Sequence, residues 1–326
     1  MLHYWYAIHV MNGGILSVNR RVIIIILILI FIIAFISFYV FIGFEFEIGV
    51  TQSWGMVTPE TTEIKTLIAV NNPTILSRWL KKIELDLYIN DLKIASEVNE
   101  KSVEIKPLGK TEISLTSFLN NSQIPELWVT YLKKDEFNVT LIGNVTFASM
   151  IREIVCPIGY KKVIHTPLME LLGIMQPRDI RTGPATMTLK VFTLTWAKAT
   201  SAQTEINGEA SIYNPSSYPI IIKKINYTIE MNDIKMGEGV IYNQTVIEAK
   251  TDKNISFTAI MNNAMLNDWW VAFLRNDQVA CVAVNLQGVA EFSGTDYNFI
   301  IAEVEAEASI RILSGTISYG FYIPIL

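Results

Sequence analysis

Two cysteines and three histidines in 326 residues leave little room for several kinds of chemistry. Cys156 and Cys281 are too few for a disulfide framework or a four-cysteine zinc site. A histidine-based metal site fails for want of ligands. His3 and His9 precede a long apolar run, so His165 alone would have to serve any Ser/His/Asp or Cys/His mechanism in the remainder. Charge is scarce too: 17% of residues against about 25% in an ordinary globular mixture, with a net charge of −5. That excludes a disordered tail and a basic nucleic-acid binder. Glycine (17) and proline (11) are sparse, and no glycine-rich phosphate loop follows a strand and opens a helix. No cofactor is implied. The length suggests about two domains.

What the chain does have is grease in one place. Val22 to Gly43 is 22 residues without a charge. At about 1.5 Å per residue that is roughly 33 Å of helix, enough for a hydrocarbon core of roughly 30 Å. Isoleucine is a mediocre helix former in water, but in lipid unpaired amides cost more, so the helix wins. A buried core helix and a cleaved signal peptide are the rivals. A signal peptide would show a shorter apolar stretch and small residues at the cut, whereas Phe38, Tyr39, Phe41 and Phe44 stand there. Before the run lie Arg20 and Arg21 and no acid; after it come 24 bases and 31 acids. The positive-inside bias therefore predicts a cytoplasmic tail (1–21), a single-pass signal anchor (22–43) and an extracytoplasmic remainder. His3-Tyr4-Trp5-Tyr6 reads as an interfacial aromatic belt, unless translation starts at Met11.

Beyond the anchor the chain repeats itself at an offset of 142. Trp54 falls on Trp196, Thr62-Glu63-Ile64 on Thr204-Glu205-Ile206, and Asn72-Pro73 on Asn214-Pro215. Lys81-Lys82-Ile83 falls on Lys223-Lys224-Ile225, and Trp128-Val129 on Trp270-Val271. Over 51–135 there are 25 identities in 85 positions without a gap. Two copies of one module follow, expected at 44–164 and 185–326, with a connector at 165–184 holding Pro167, Pro177 and Pro184. Cys156 and Cys281 are not equivalent in this register, so two buried thiols are the default and an inter-module disulfide the alternative.

Ile83, Leu85, Leu87 and Ile89 alternate with Glu84, Asp86 and Tyr88, and the second copy repeats the pattern from Ile225 to Met231. Period two means strands with one wet face. Asn90-Asp91 and Asn232-Asp233 interrupt these runs as hairpin turns, because both residue types tolerate positive φ. Further strands are expected near 61–71, 92–98, 110–118 and 137–149. Together these predict a mainly β protein of two antiparallel β-sandwiches. One helix per copy breaks the pattern: Ile124, Leu127, Trp128, Tyr131 and Leu132 form one apolar stripe, as do Leu266, Trp269, Trp270, Phe273 and Leu274. Ser122 and Asn263 are the expected N-caps. The stripe would cover an open side of a sandwich, or line a ligand or partner groove.

An Asn-Pro pair closing the first inward strand, an alternating hairpin and a late amphipathic helix resemble the late embryogenesis abundant type 2 family, which contains the water-stress and hypersensitive-response domain. The residues are Ile68-Ala69-Val70-Asn71-Asn72-Pro73 with the hairpin after Lys82, and Ser211-Ile212-Tyr213-Asn214-Pro215 with the hairpin after Lys224. The resemblance covers about 48–150 and 190–310, and tandem copies behind one anchor are similar to the archaeal members. It implies β-sandwiches with one helix each, no catalysis, frequent membrane anchoring and a link to desiccation or other stress. It carries no catalytic residues to transfer. By their own chemistry Asn72, Pro73, Asn214 and Pro215 are turn formers.

Six glycosylation sequons, at Asn120, Asn138, Asn144, Asn226, Asn243 and Asn254, all lie beyond the anchor, with Asn226 and Asn254 on the wet parity of their strands. The functional expectation is a non-catalytic surface protein presenting two modules for partner binding or envelope and stress protection. The alternative is a lipid or apolar-ligand carrier at the membrane surface. A polar cluster breaking the symmetry of the repeat, which would favour an enzyme, is not expected in either copy.

Overall fold

The computed structural model describes residues 20–41, 44–148, 153–172, 177–242, 244–292, 294–313 and 315–323. The aromatic tail at 3–6, Met11 and Asn243 lie outside the described residues. Helix α1 runs Arg20–Phe41, 22 residues. Every large apolar side chain between Ile23 and Phe35 is 44–72% exposed. Those 13 residues rise about 20 Å. Among the described residues no helix is long and apolar enough to cross a membrane, so the span expected over 22–43 stays a proposal.

Phe46–Phe321 forms one compact unit. Its first copy contributes β1 (Phe44–Val57), β2 (Thr61–Asn72), β3 (Arg78–Ile89), β4 (Leu92–Asn99), β5 (Val103–Ile105), β6 (Gly109–Asn120), α2 (Ile124–Leu132), β7 (Glu136–Ala148) and β8 (Glu153–His165). A short helix, α3 (Leu168–Leu172), leads to β9 (Arg178–Thr182). The second copy continues with β10 (Ala185–Ala199), β11 (Gln203–Tyr213), β12 (Ile220–Met231), β13 (Ile234–Ile241), β14 (Thr245–Ile247), β15 (Asp252–Asn262), α4 (Leu266–Arg275), β16 (Val279–Phe292), β17 (Thr295–Ser309) and β18 (Thr316–Ile323). Strands dominate the described residues and form four antiparallel sheets. The first copy holds β18-β1-β2-β6 and β4-β3-β7-β8; the second holds β9-β10-β11-β15 and β13-β12-β16-β17.

The alternation sets the layers. Ile83, Leu85, Leu87 and Ile89 are buried, and Glu84 and Asp86 between them bridge to Lys82 and Lys93 on the outer side. Both hairpin turns adopt the expected left-handed backbone, at Asn90 (φ 49°), Asp91 (67°), Asn232 (45°) and Asp233 (63°). Buried Asn72 accepts from the Thr74 N–H (3.0 Å) and donates to the Leu76 carbonyl (2.8 Å). Asn214 repeats this with Ser216 (2.9 Å) and Tyr218 (2.7 Å). The Asn-Pro pairs therefore replace the ladder bonds that proline ends.

Three details depart from expectation. A 3-10 turn precedes each helix, so Ser122 and Asn263 are not caps; Asn120 and Asn262 cap those turns, accepting from Ser122 N and Ala264 N (3.0 Å each). The stretch read as a connector at 165–184 supplies β9, an edge strand of the second copy's sheet, while α3 buries Leu168, Met169 and Leu172. The C-terminal strand β18 does not belong to the second sandwich: it lies beside β1 in the first. It holds the place that β9 holds beside β10. The first copy lacks its own strand there because α1 occupies the equivalent sequence.

Candidate functional site

The two helices pack on their own sandwiches, Tyr131 stacking on Phe137 (4.7 Å) and Trp269 donating to Asn232 (3.0 Å), and they also meet each other. Trp128 on α2 donates its indole N–H across the junction to Thr204 Oγ1 on β11 (3.2 Å). Trp270 on α4 donates to Thr62 Oγ1 on β2 (3.0 Å). Those four residues are two equivalent pairs of the repeat, so the copies exchange the same bond in both directions. Edge contacts follow the same rule. Trp54 meets Trp270 at 5.6 Å and 86°, and Trp196 meets Trp128 at 5.6 Å and 87°. Trp128 also reaches Trp269 (5.6 Å, 67°). Edge-to-face geometry at this spacing suits the ring quadrupoles. Each threonine is backed by a buried asparagine: Thr62 donates to Asn121 (2.8 Å) and Thr204 to Asn263 (3.1 Å). The expected stripe residues Leu127, Trp128, Tyr131, Trp269, Trp270 and Phe273 are all buried. Their spacing is that of any core helix, and only the pairing across the junction tells interface from lid.

A second feature breaks the symmetry of the repeat, against expectation. Glu97 on β4 is 5% exposed inside the first sandwich. Its Oε1 accepts from Thr66 (2.8 Å) and Ser117 (2.8 Å), and Gln52 donates to Thr66 Oγ1 (3.2 Å). Its Oε2 is buried without a partner. Burial raises its pKa, which the two hydroxyl donors only partly offset. In the second copy the three positions are Gly208, Gly239 and Ala259. A Cβ at Gly208 would lie 2.0 Å from Phe257 and one at Gly239 2.7 Å from Tyr227. Aromatic rings thus fill the space that the first copy gives to a carboxyl. The signal was in the sequence: three polar residues vanish together at one offset. Gln52 borders a recess of about 20 Å³ with Tyr160, Lys162 and Ile312, room for one water.

His165 is exposed at the end of β8, and among the described residues no group of three His, Cys, Asp or Glu could hold a metal ion. Cys156 is buried, Cys281 half-buried, and both thiols are free; burial pushes the Cys156 thiol up to about 11. Asn120 and Asn254 are exposed, and Asn138, Asn144 and Asn226 half-exposed.

The late embryogenesis abundant protein family model matches residues 67–161 and 209–297, more than half the chain and one stretch in each copy. The chain belongs to the late embryogenesis abundant protein family. A crystal structure of an Archaeoglobus fulgidus protein is 25% identical, covering 37% of this chain and 97% of its own, with a TM-score of 0.36. An Arabidopsis thaliana protein solved in solution is 16% identical, covering 36% and 80%, with a TM-score of 0.29. Comparison with curated proteins finds no match. The family is generally non-enzymatic, and membership suggests a stress-related or ligand-binding β-domain protein.

Proposed function

We propose that this late embryogenesis abundant protein is a non-catalytic, membrane-anchored surface protein. Its helix α1 would hold a rigid two-copy body outside the membrane, for partner binding or for protection of the envelope under stress. The observation that carries the reading is α1: 22 residues, uncharged after Arg21, with apolar side chains exposed on every face. A helix apolar all round has no place in water. Its only charges sit at the N-terminal end, while the rest of the chain is acidic, which favours a cytoplasmic N-terminus. Glycans at Asn120 and Asn254 would project from exposed positions.

The carrier alternative needs a helix free to swing aside. Here α2 and α4 are each pinned by a tryptophan to the opposite copy, which argues for presentation rather than transport.

Protease added to intact cells tests the topology. The reading expects digestion of residues 44–326 without permeabilisation; a body cut only after permeabilisation reverses the orientation.

A further inference from the structure

The two copies close the same flank of their sandwiches with different chemistry. In the first copy that flank runs between β4, an edge of one sheet, and β6, an edge of the other. Glu97 crosses it: from β4 its Oε1 accepts from Thr66 Oγ1 on β2 and from Ser117 Oγ on β6. Three of the eight β4 side chains are buried, Ile94, Ala95 and Glu97, so an acid is one of the few groups holding this edge down. In the second copy Gly239 stands where Glu97 does, and Tyr227 on β12 supplies the tie instead. Its hydroxyl accepts from the Ile260 N–H on β15 (3.1 Å) and donates to the Ile260 carbonyl (3.5 Å). A Cβ at Gly237 would lie 2.3 Å from that carbonyl, so β13 rests directly on the β15 backbone.

The first seam therefore depends on a group with two forms. Glu97 Oε2 is shut away from water without a partner. Protonated, the carboxyl leaves an uncharged polar site unmet; ionised, it leaves part of a full charge unmet, which costs far more inside a protein. No charged neighbour among the described residues offsets that cost. Thr66 and Ser117 are neutral, as is Gln52 of β1 behind Thr66, and Leu85 of β3 lies opposite Glu97 in the register. Charged residues on the surrounding strands pair on the outer faces instead. Lys65 meets Glu63 on β2, and Lys110 meets Glu112 on β6. Lys93 of β4 meets Asp86 of β3, Lys82 of β3 meets Glu84, and Glu104 of β5 is exposed.

We propose that the flank between β4 and β6 is a proton-operated seam: it stays closed while Glu97 carries a proton, and loss of that proton lets β4 part from β6. Opening returns the carboxylate to water, where it titrates in the ordinary range, whereas burial makes the closed form keep its proton to higher pH. Between those two points the open population gains up to about tenfold per pH unit; below the first and above the second it is flat. The second copy has no such group to ionise, and its seam stays shut.

The test uses the full chain, dispersed in a mild detergent, and hydrogen exchange read by mass spectrometry from pH 4 to 8. Rates are divided by the intrinsic rate at each pH, so that only opening remains. The seam predicts that opening of β4 and β6 rises about tenfold per unit just above the ordinary carboxylate range and then levels. Low urea should leave this opening nearly unchanged, because a local opening exposes little surface, while it speeds exchange that needs global unfolding. Glu97→Gln should abolish the rise. Ser117→Ala, which copies Ala259 of the second copy, removes a donor to the ionised form and should carry the rise to higher pH. Opening of β4 and β6 that is constant across the range overturns the seam. So does a rise that urea amplifies as strongly there as in β13 and β15, or a rise that survives Glu97→Gln.

Discussion

Trp128→Ala should loosen both copies, not one. Trp128 is 2% exposed and touches Trp196, Trp269 and Tyr131 at 5.3–5.6 Å between ring centroids. Truncating a buried tryptophan costs about 3–5 kcal/mol. Most of that is lost packing, because Thr204 keeps its bond to Asn263 when the indole goes. The hydrogen bond itself is separable. A double-mutant cycle of Trp128→Phe with Thr204→Val should give a coupling of about 1 kcal/mol. The same cycle with Trp270→Phe and Thr62→Val should return a similar value, since the two bonds are equivalents at 3.2 and 3.0 Å. Urea unfolding followed by far-ultraviolet circular dichroism avoids the signal of the removed tryptophan. Hydrogen exchange in Trp128→Ala then shows where stability is lost. Exchange should quicken in β2 and in β11, on opposite sides of the junction. Loss confined to the first copy, with β11 unchanged, would refute it.

Other consequences are simpler to state. Burial raises the Glu97 pKa, so the folded state binds that proton more tightly than the unfolded chain. The group's contribution to stability then falls as pH climbs from the ordinary carboxylate range through its folded pKa, and is flat above. Glu97→Gln should match the wild type at the acid end and melt higher at neutral pH; a wild-type advantage that grows with pH contradicts this. Asn214→Ala removes buried bonds to the Tyr218 and Ile247 carbonyls and should cost about 2–3 kcal/mol by urea unfolding. Asn72→Ala, with the Leu76 carbonyl as its amide partner, should cost about 1–2 kcal/mol. With Cys156 buried and its thiol pushed up to about 11, a thiol reagent should label it only after denaturation, when two thiols should appear. A disulfide would show as missing thiols and a melting point lowered by reductant.

Much of this architecture was legible because its causes are local. Alternation at 83–89 and the Asn-Asp turns at 90–91 and 232–233 follow from which face of a strand meets water and which residues accept positive φ. The helical stripes followed from 3.6-residue spacing. Long-range choices were not legible. Trp128 has the same spacing whether it packs on its own sandwich or reaches Thr204, 76 positions away. No local signal sends β18 back to β1. Glu97 escaped because a bulge in the β3–β4 pairing, between Leu87 and Tyr88, alters the parity of β4. That shift turns Glu97 inward and leaves Val98 exposed. The caps were misplaced by two residues in the first copy and one in the second, since Asn263 looks like a cap until its amide is seen bonding Thr200, and Asn120, not Ser122, caps the first turn.

The central claim is that two equivalent sandwiches are clasped by reciprocal tryptophan–threonine bonds and closed by β18. Cutting the backbone between them tests it most directly. A protease site placed at 173–176, cleaved in the folded protein, should leave two fragments that migrate as one particle and separate only in denaturant. Fragments that part under native conditions would show that the chain, not the junction, holds the copies together.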